Sequence, residues 1–275
     1  MSDYLLAGQA GQSGAAGRAR ELELDRLLLQ SEVWEPAGRR LLEQISPDGH
    51  GRRALDVGCG ALGWLRLLSS WAGETGSVLG SDIDKALLER AAGVAERDKL
   101  LNVRLLVDDL FVSRLERHGF DLVHARLMLA PLGRAEEQLS SHLALLAPGG
   151  VLALEEPDCR TWRFEAPAPA AQRVIELLAQ VFRTSGGDMD AGRALPELLH
   201  ARGLNPRVRT EVLELAPGHP YLRMPLDMAE VLRERLVAFT DPGELDALLA
   251  EAETELAAPE RRGTTFTMVQ CWARG

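Results

Sequence analysis

The chain has 275 residues, with 41 acidic and 31 basic side chains giving a formal net charge of −10 at pH 7. Its 46% hydrophobic and 26% charged residues are those of a globular protein long enough to bury its own core, which excludes a disordered or fibrous chain. The acidic balance, with no run of Lys/Arg to override it, argues against a nucleic-acid or anionic-lipid partner. Cys59, Cys159 and Cys271 show no CxxC spacing and are odd in number, which suits a reducing cytoplasm better than a disulfide scaffold or a structural zinc site. Apolar stretches fall short of the about 18 residues a membrane span needs, and the N-terminus lacks the basic-then-apolar pattern of an export signal. The expected location is therefore the cytoplasm, with no membrane partner.

In chain order, residues 8–17 form a glycine-rich lead, with Tyr4 before it as an anchor. Leu24, Leu27 and Leu28 recur at helical spacing after Glu21, and Pro36 suits the first turn of a second helix. Strand-like runs then occur at residues 54–57, 78–81, 103–107, 121–125 and 151–155. Helical stretches separate them, at 64–71, at 85–98 with Leu88, Ala91, Ala92 and Ala95 on one face, and at 136–146, stopped by Pro148-Gly149-Gly150. This alternation predicts a doubly wound, Rossmann-like α/β fold, with ligands beyond the carboxyl ends of the strands.

After Glu156 the rhythm breaks. Pro157, Pro167 and Pro169 mark a connection, followed by a helix carrying Val174, Leu178, Val181 and Phe182, and another over residues 191–203. A strand-like run at 208–215 and a turn-rich link at 217–224 lead to two further helices. The last opens with Asp241 as N-cap, Pro242 at N1 and Glu244 at N3, and the chain closes in a strand at 265–272. The domain division expected is a lead with helices over 1–50 and a ligand-binding domain over 51–275, with cap insertions at about 160–203 and 217–260.

The most informative residues are Ala54-Leu55-Asp56-Val57-Gly58-Cys59-Gly60-Ala61-Leu62-Gly63, a strand running into a glycine-rich turn and then a helix. Glycines let the backbone approach a ligand closely. Asp56 at the strand end suits a cationic ligand rather than a pyrophosphate. Asp82, 26 residues later at the end of the second strand, is placed to accept from both hydroxyls of a ribose. The third strand ends in Asp108-Asp109, where an acid can accept from an exocyclic amine. Three strand ends thus match three parts of one adenosyl ligand.

On these residues the chain resembles the class I S-adenosylmethionine-dependent methyltransferases of the bacterial small-molecule kind, over about residues 22–274. The resemblance implies S-adenosyl-L-methionine as cofactor, with Asp56, Gly58 and Gly60 at the methionine moiety, Asp82 at the ribose, and Asp109 with the Leu110 backbone at the adenine. Cys59, chosen for size, and Ile83 complete this set. It also implies a seven-stranded sheet of order 3-2-1-4-5-7-6 with the last strand antiparallel, N-terminal helices and a helical cap. The usual third glycine position holds Leu62, and Gly63 comes one residue late.

Around this frame, His124 at the end of the fourth strand is the candidate general base, set against a structural reading in which its ring is bonded internally. Arg126 is assigned to the cofactor side, and Gln30 with Trp34 to a helix closing over it. Glu155, Glu156 and Asp158 read as a solvated acidic loop or as acceptor contacts. Trp162, Phe164, Phe182, Tyr221, Met224, Met228 and Phe239 favour an apolar or aromatic small-molecule acceptor. No metal is required, and the Asn/Asp-Pro-Pro-aromatic run of nucleic-acid amino-methylating enzymes is absent, residues 124–127 reading His-Ala-Arg-Leu. A homodimer is compatible with the sequence. Rival readings are a cofactor-retaining catalyst of cyclisation or rearrangement, a cofactor-binding regulatory module and a dinucleotide oxidoreductase.

Overall fold

The computed structural model describes residues 15–46 and 48–275, so Tyr4 and most of the glycine-rich lead lie outside the described residues. The strands are β1 (Arg53–Val57), β2 (Ser77–Asp82), β3 (Val103–Val107), β4 (Phe120–Arg126), β5 (Leu146–Asp158), β6 (Arg163–Glu165), β7 (Arg207–Glu211), β8 (Glu214–Leu215), β9 (Arg262–Thr264) and β10 (Thr267–Arg274). The helices are α1 (Ala15–Ile45), α2 (Leu65–Ala72), α3 (Lys85–Arg97), α4 (Leu129–Leu132), α5 (Ala135–Leu145), α6 (Pro169–Thr184), α7 (Leu195–Ala201), α8 (Met224–Val231), α9 (Arg233–Leu236) and α10 (Pro242–Leu256).

Seven strands form one sheet in the order β3-β2-β1-β4-β5-β10-β7, with β1 to β5 parallel and β10 antiparallel to both its neighbours. This is the anticipated order, β7 and β10 standing sixth and seventh. Side chains alternate across the sheet. Leu55, Val57, Val123, Ala125, Leu152 and Leu154 join one core with the cap. Ala54, Leu122, Val151, Ala153 and Trp272 join a second core with α2, α3 and the end of α1. Toward the carboxyl ends, the second face changes from apolar to polar, and the site begins there.

The N-terminal region differs from the sequence reading. Pro36 does not open a second helix but lies inside the 31-residue α1. Proline inside a helix removes one hydrogen bond and costs about 3 kcal/mol. The helix continues because Trp34, Ala37 and Leu41, on either side of Pro36, are each wholly buried. Two other departures bear on the site. The Pro148-Gly149-Gly150 turn falls within β5 as an irregularity, Phe120 pairing with Leu146 but Leu122 with Val151. Pro157, read as a connection, sits in β5 opposite Met268, beyond the last β4 pair at Arg126 and Glu155, where no neighbour on that side needs its N–H.

The cap packs α10 and α8 against α6, and α8 against α1. Asp241 caps α10 as expected, accepting from the Gly243 N–H at 2.8 Å. The run at 208–215 divides into β7 and β8 because β8 leaves the main sheet for a three-stranded one, ordered β6-β9-β8. Replacing the exposed Pro36 with alanine restores an N–H to α1. Stability should rise by about 2 kcal/mol, the helix-interior difference less the freedom alanine returns to the unfolded chain. A higher urea midpoint for Pro36→Ala is the expected result, and an unchanged or lower one contradicts the account.

Candidate active site

A buried polar row crosses four strands at the carboxyl ends of the sheet. Asp56 of β1 is opposite His124 of β4, and Glu155 of β5 is opposite Gln270 of β10. The Trp64 N–H donates to Asp56 Oδ2 at 2.7 Å, while Asp56 Oδ1 lies 2.6 Å from His124 Nδ1. His124 Nε2 lies 3.2 Å from Glu155 Oε2, and Gln270 Nε2 donates to Glu155 Oε1 at 2.5 Å. All four residues are at most 1% exposed. Both ring nitrogens of His124 thus lie within hydrogen-bond distance of a carboxylate oxygen. Burial pushes the His124 pKa down, but Asp56 and Glu155 outweigh it and the net direction is up. Burial would likewise raise Glu155, yet His124, Arg126 and Gln270 hold it below the usual carboxylate range. Trp64 stacks on the imidazole, ring centroids 3.8 Å apart.

This geometry bears on two expectations. Both ring nitrogens of His124 lie within hydrogen-bond reach of buried carboxylates, which is the arrangement of its internally bonded reading. Asp56 is 1% exposed, does not line the nucleoside cleft, and through the Trp64 N–H shapes the glycine turn. The late glycine is explained as well. Gly63 has φ +50°, and a Cβ there would sit 2.2 Å from Asp56 Oδ2, whereas Leu62 is a core residue at 1% exposure.

The residues expected at the adenosyl group do come together. Gly58, Asp82, Ile83, Asp109 and Leu110 line one cleft with Phe111, Met128 and Leu132, an empty volume of about 460 Å³ counting its mouth. Asp82 Oδ2 accepts from the Gly60 N–H at 2.9 Å and Oδ1 from the Asp84 N–H at 2.8 Å, which leaves lone pairs on both oxygens. Burial raises the Asp82 pKa to about 6, against the lowering effect of those two N–H groups. Asp109 Oδ1 accepts from the Phe111 N–H at 3.0 Å. A Cβ on Gly60 would meet nothing within 4 Å, so the turn is open on that side. Cys59 is 2% exposed, and burial pushes its thiol pKa well up, as suits a space-filling residue.

Arg126 is 9% exposed, its Nη1 is buried, and it has no hydrogen bond or ion pair among the described residues. Its buried Nη1, although the charge acts on Glu155, has a hydrogen bond left to give, which suits an anionic group. The open glycine turn, the Asp82 lone pairs and this unpaired Arg126 together fit a nucleoside that carries an amino-acid tail.

A second cavity, with an empty volume of about 560 Å³ counting its mouth, lies on the other side of residues 127–132. Leu127, Ala130 and Pro131 line it, while Met128 and Leu132 line the nucleoside cleft. Its remaining lining includes Trp162, Phe182, Met189, Met228 and Phe266, together with Gln30 and Arg26 of α1. Of the aromatic and methionine candidates, Trp162, Phe182 and Met228 therefore reach it, whereas Tyr221 and Met224 are wholly buried in packing. Gln30 lies here and not against Asp56 or Asp82. Trp34 donates to Tyr221 Oη at 3.0 Å and packs on Phe266.

The acidic run is not solvated. Glu156, 1% exposed, accepts from the N–H groups of Met128 and Leu129 at 2.7 Å and of Ala130 at 3.0 Å, anchoring the wall between the cavities. Burial raises its pKa to about 7. Asp158 pairs with Arg160 at 3.0 Å. Sequence reasoning missed Glu156 as an anchor, Met128 and Arg26. Only Arg26 left a signal, an arginine four residues before Gln30 beside the leucines of α1.

A family model described as a methyltransferase domain matches residues 48–198, more than half of the chain. An aklanonic acid methyltransferase from Streptomyces sp. (strain C5) is 33% identical over 157 residues, 55% of this chain and 71% of that protein. A nocamycin O-methyltransferase from Saccharothrix syringae is 29% identical over 182 residues, covering 59% and 65% of the two chains. Among solved structures, a phosphoethanolamine N-methyltransferase 2 from Haemonchus contortus, in complex with S-adenosyl-L-methionine, superposes with a TM-score of 0.54 at 17% identity. That alignment spans 99% of this chain and 59% of the other.

If Asp56 and Gly63 fix the turn as described, Gly63→Ala meets both a positive φ and a clash. It should lower stability by about 2–4 kcal/mol, against about 1 kcal/mol for Gly60→Ala, where only the dihedral is unfavourable. Chemical denaturation of the two variants checks this, and equal losses would contradict it. The chain belongs to the methyltransferase domain family, whose methyl donor is S-adenosyl-L-methionine.

Proposed function

We propose that this enzyme moves a methyl group from S-adenosyl-L-methionine to a small apolar or aromatic organic acceptor held in the cavity behind residues 127–132. The observation that carries the reading is the shared wall. Met128 and Leu132 face the nucleoside cleft, and their neighbours Leu127, Ala130 and Pro131 face the apolar cavity. The two cavities are thus neighbours at the end of β4, and the methyl group and the accepting atom meet past the edge of residues 127–132, in the contact that in-line displacement requires. The names of the two relatives, aklanonic acid and nocamycin methyltransferases, support a small organic acceptor and a place in secondary metabolism.

In this reading Asp82 accepts from the ribose hydroxyls, and Asp109 with the Leu110 backbone meets the adenine edge beside Ile83. Gly58 and Gly60 let the chain pass close to the methionine moiety, whose carboxylate Arg126 receives. The cofactor, when bound, supplies a methyl group already activated by its sulfonium. What the protein adds is alignment of the attacking atom and exclusion of water, and alignment contributes on the order of 7–11 kcal/mol to such reactions. His124 is a positioning residue, holding Asp56 and hence the turn. The catalytic unit is assigned to residues 51–275, with residues 1–50 as its cover and caps at about 160–203 and 217–260. The three cysteines are free and buried, which supports a cytoplasmic setting.

Incubation with labelled donor and a panel of apolar hydroxy- and keto-aromatic acceptors tests the reading. Transfer of label is expected, and tight donor binding with no transfer to any acceptor would contradict it. The Asp82 carboxylate adds a pH dependence of definite sign. Its ionised form accepts the ribose hydroxyls, so affinity for S-adenosylhomocysteine should be full above about pH 6 and fall as pH drops below that value. Asp82→Asn should weaken binding by about tenfold or more and flatten the profile between pH 5 and 7.5. Calorimetric titration at the two pH values reads both effects, and an equally steep profile in the variant would remove Asp82 from the role.

A further inference from the structure

The apolar cavity contains more polarity than its lining suggests, and of one kind. Its polar side chains are Arg26, Gln30, Trp162 and the thiol of Cys159. Arg26 is held by Glu23 through two bonds of 2.6 and 2.7 Å, and its Nη1 donates to Gln30 Oε1 at 3.2 Å. A guanidinium cannot accept, so this bond fixes the orientation of the Gln30 amide and leaves its NH₂ as the remaining group. That NH₂ has no partner among the described residues. Trp162 is 1% exposed, and its buried indole N–H, a donor only, is also unpartnered. Burial raises the Cys159 pKa well above the ordinary thiol value, so it stays an S–H. Among the described residues lining this cavity, Trp162 Nε1 is the buried side-chain nitrogen or oxygen without a partner, and it is a donor, as is the half-exposed Gln30 NH₂. Its charge, meanwhile, is balanced, because Glu23 matches Arg26.

We infer that the cavity takes an uncharged apolar molecule bearing a carbonyl oxygen, of the ketone, quinone or ester class. That oxygen accepts from the Trp162 indole N–H, with the Gln30 NH₂ at the mouth as a second donor, which makes Trp162 a specificity-determining residue. A hydrocarbon leaves the indole N–H unpaired in the dark of the core, and a carboxylate brings a charge that the Arg26–Glu23 pair does not compensate. Calling this ligand the methyl acceptor rests on the function proposed above; the selectivity itself rests on the cavity.

The test is calorimetric titration of the full chain, with S-adenosylhomocysteine present, using 2-acetylnaphthalene, 2-ethylnaphthalene and 2-naphthoate as probes. The ketone should bind about tenfold tighter than the hydrocarbon, and tighter than the carboxylate. Trp162→Phe keeps a ring against Tyr221 and Phe266 and removes only the N–H donor, so it should cost the ketone about tenfold and leave the hydrocarbon unchanged. Gln30→Leu, at a half-exposed position of α1, should cost the ketone about threefold, and it keeps the idea testable if the tryptophan variant does not fold. The inference is overturned by equal binding of ketone and hydrocarbon, by tightest binding of the naphthoate, by no binding of the ketone, or by a ketone affinity unmoved in a folded Trp162→Phe protein. The same titrations separate this from the methyl-transfer reading. Ketone selectivity without S-adenosylhomocysteine binding contradicts that reading alone, and nucleoside binding without ketone selectivity contradicts this one alone.

Discussion

Two carboxylates with almost no solvent exposure, Asp56 and Glu155, stand on neighbouring rungs of the central sheet, and both reach the ring of His124 between them, whose pKa they raise against the effect of its own burial. Without that ring the two acids would lose their shared partner in a low-dielectric interior, where an unpartnered polar group is costly. With it, the row from the Trp64 N–H through Asp56, His124 and Glu155 to Gln270 is bonded at each step. The row also sets the backbone around it. Asp56 fixes the start of α2 and the path of the glycine turn, while Gln270 touches the Ala37 carbonyl of α1 at 3.4 Å. The glycine turn and the helix that covers the apolar cavity are thus tied to one electrostatic arrangement.

The consecutive acids Glu155 and Glu156 show how strand alternation divides labour. Adjacent residues of a strand face opposite sides of the sheet. Glu155 joins the row under α2, and Glu156 turns to the other face, where three backbone N–H groups anchor residues 128–130. One acid organises the glycine-turn side and the next holds the wall between the two cavities. Leu127, at the entry to that wall, has φ +57°, an uncommon conformation for a leucine that the Glu155 carbonyl stabilises by accepting the Leu127 N–H at 2.8 Å.

What the sequence made legible was whatever follows from local pattern. Runs of apolar residues between helical stretches mark the strand ends, and so bring Asp82, Asp109 and Gly58 to one cleft. What it hid depends on partners far along the chain. His124 looked like a base because its bonds, to Asp56 and Glu155, span 68 and 31 residues. Glu155 and Glu156 looked solvated because nothing nearby in sequence accounts for them. Pro36 looked like a helix start because the local preference of proline is real, but burial of Trp34, Ala37 and Leu41 outweighs it. Trp162 and Tyr221 could not be told apart from composition, since both are large and interior, and only the course of the cap decides which one lines the cavity.

The most direct measurement of the central claim is a crystal structure of the chain with S-adenosylhomocysteine. The account predicts the ribose hydroxyls on Asp82, the adenine beside Asp109 and Leu110, the amino-acid carboxylate at Arg126, and the sulfur directed past residues 127–132 toward the Trp162 cavity. A nucleoside bound elsewhere, or one whose sulfur faces away from that cavity, would contradict it.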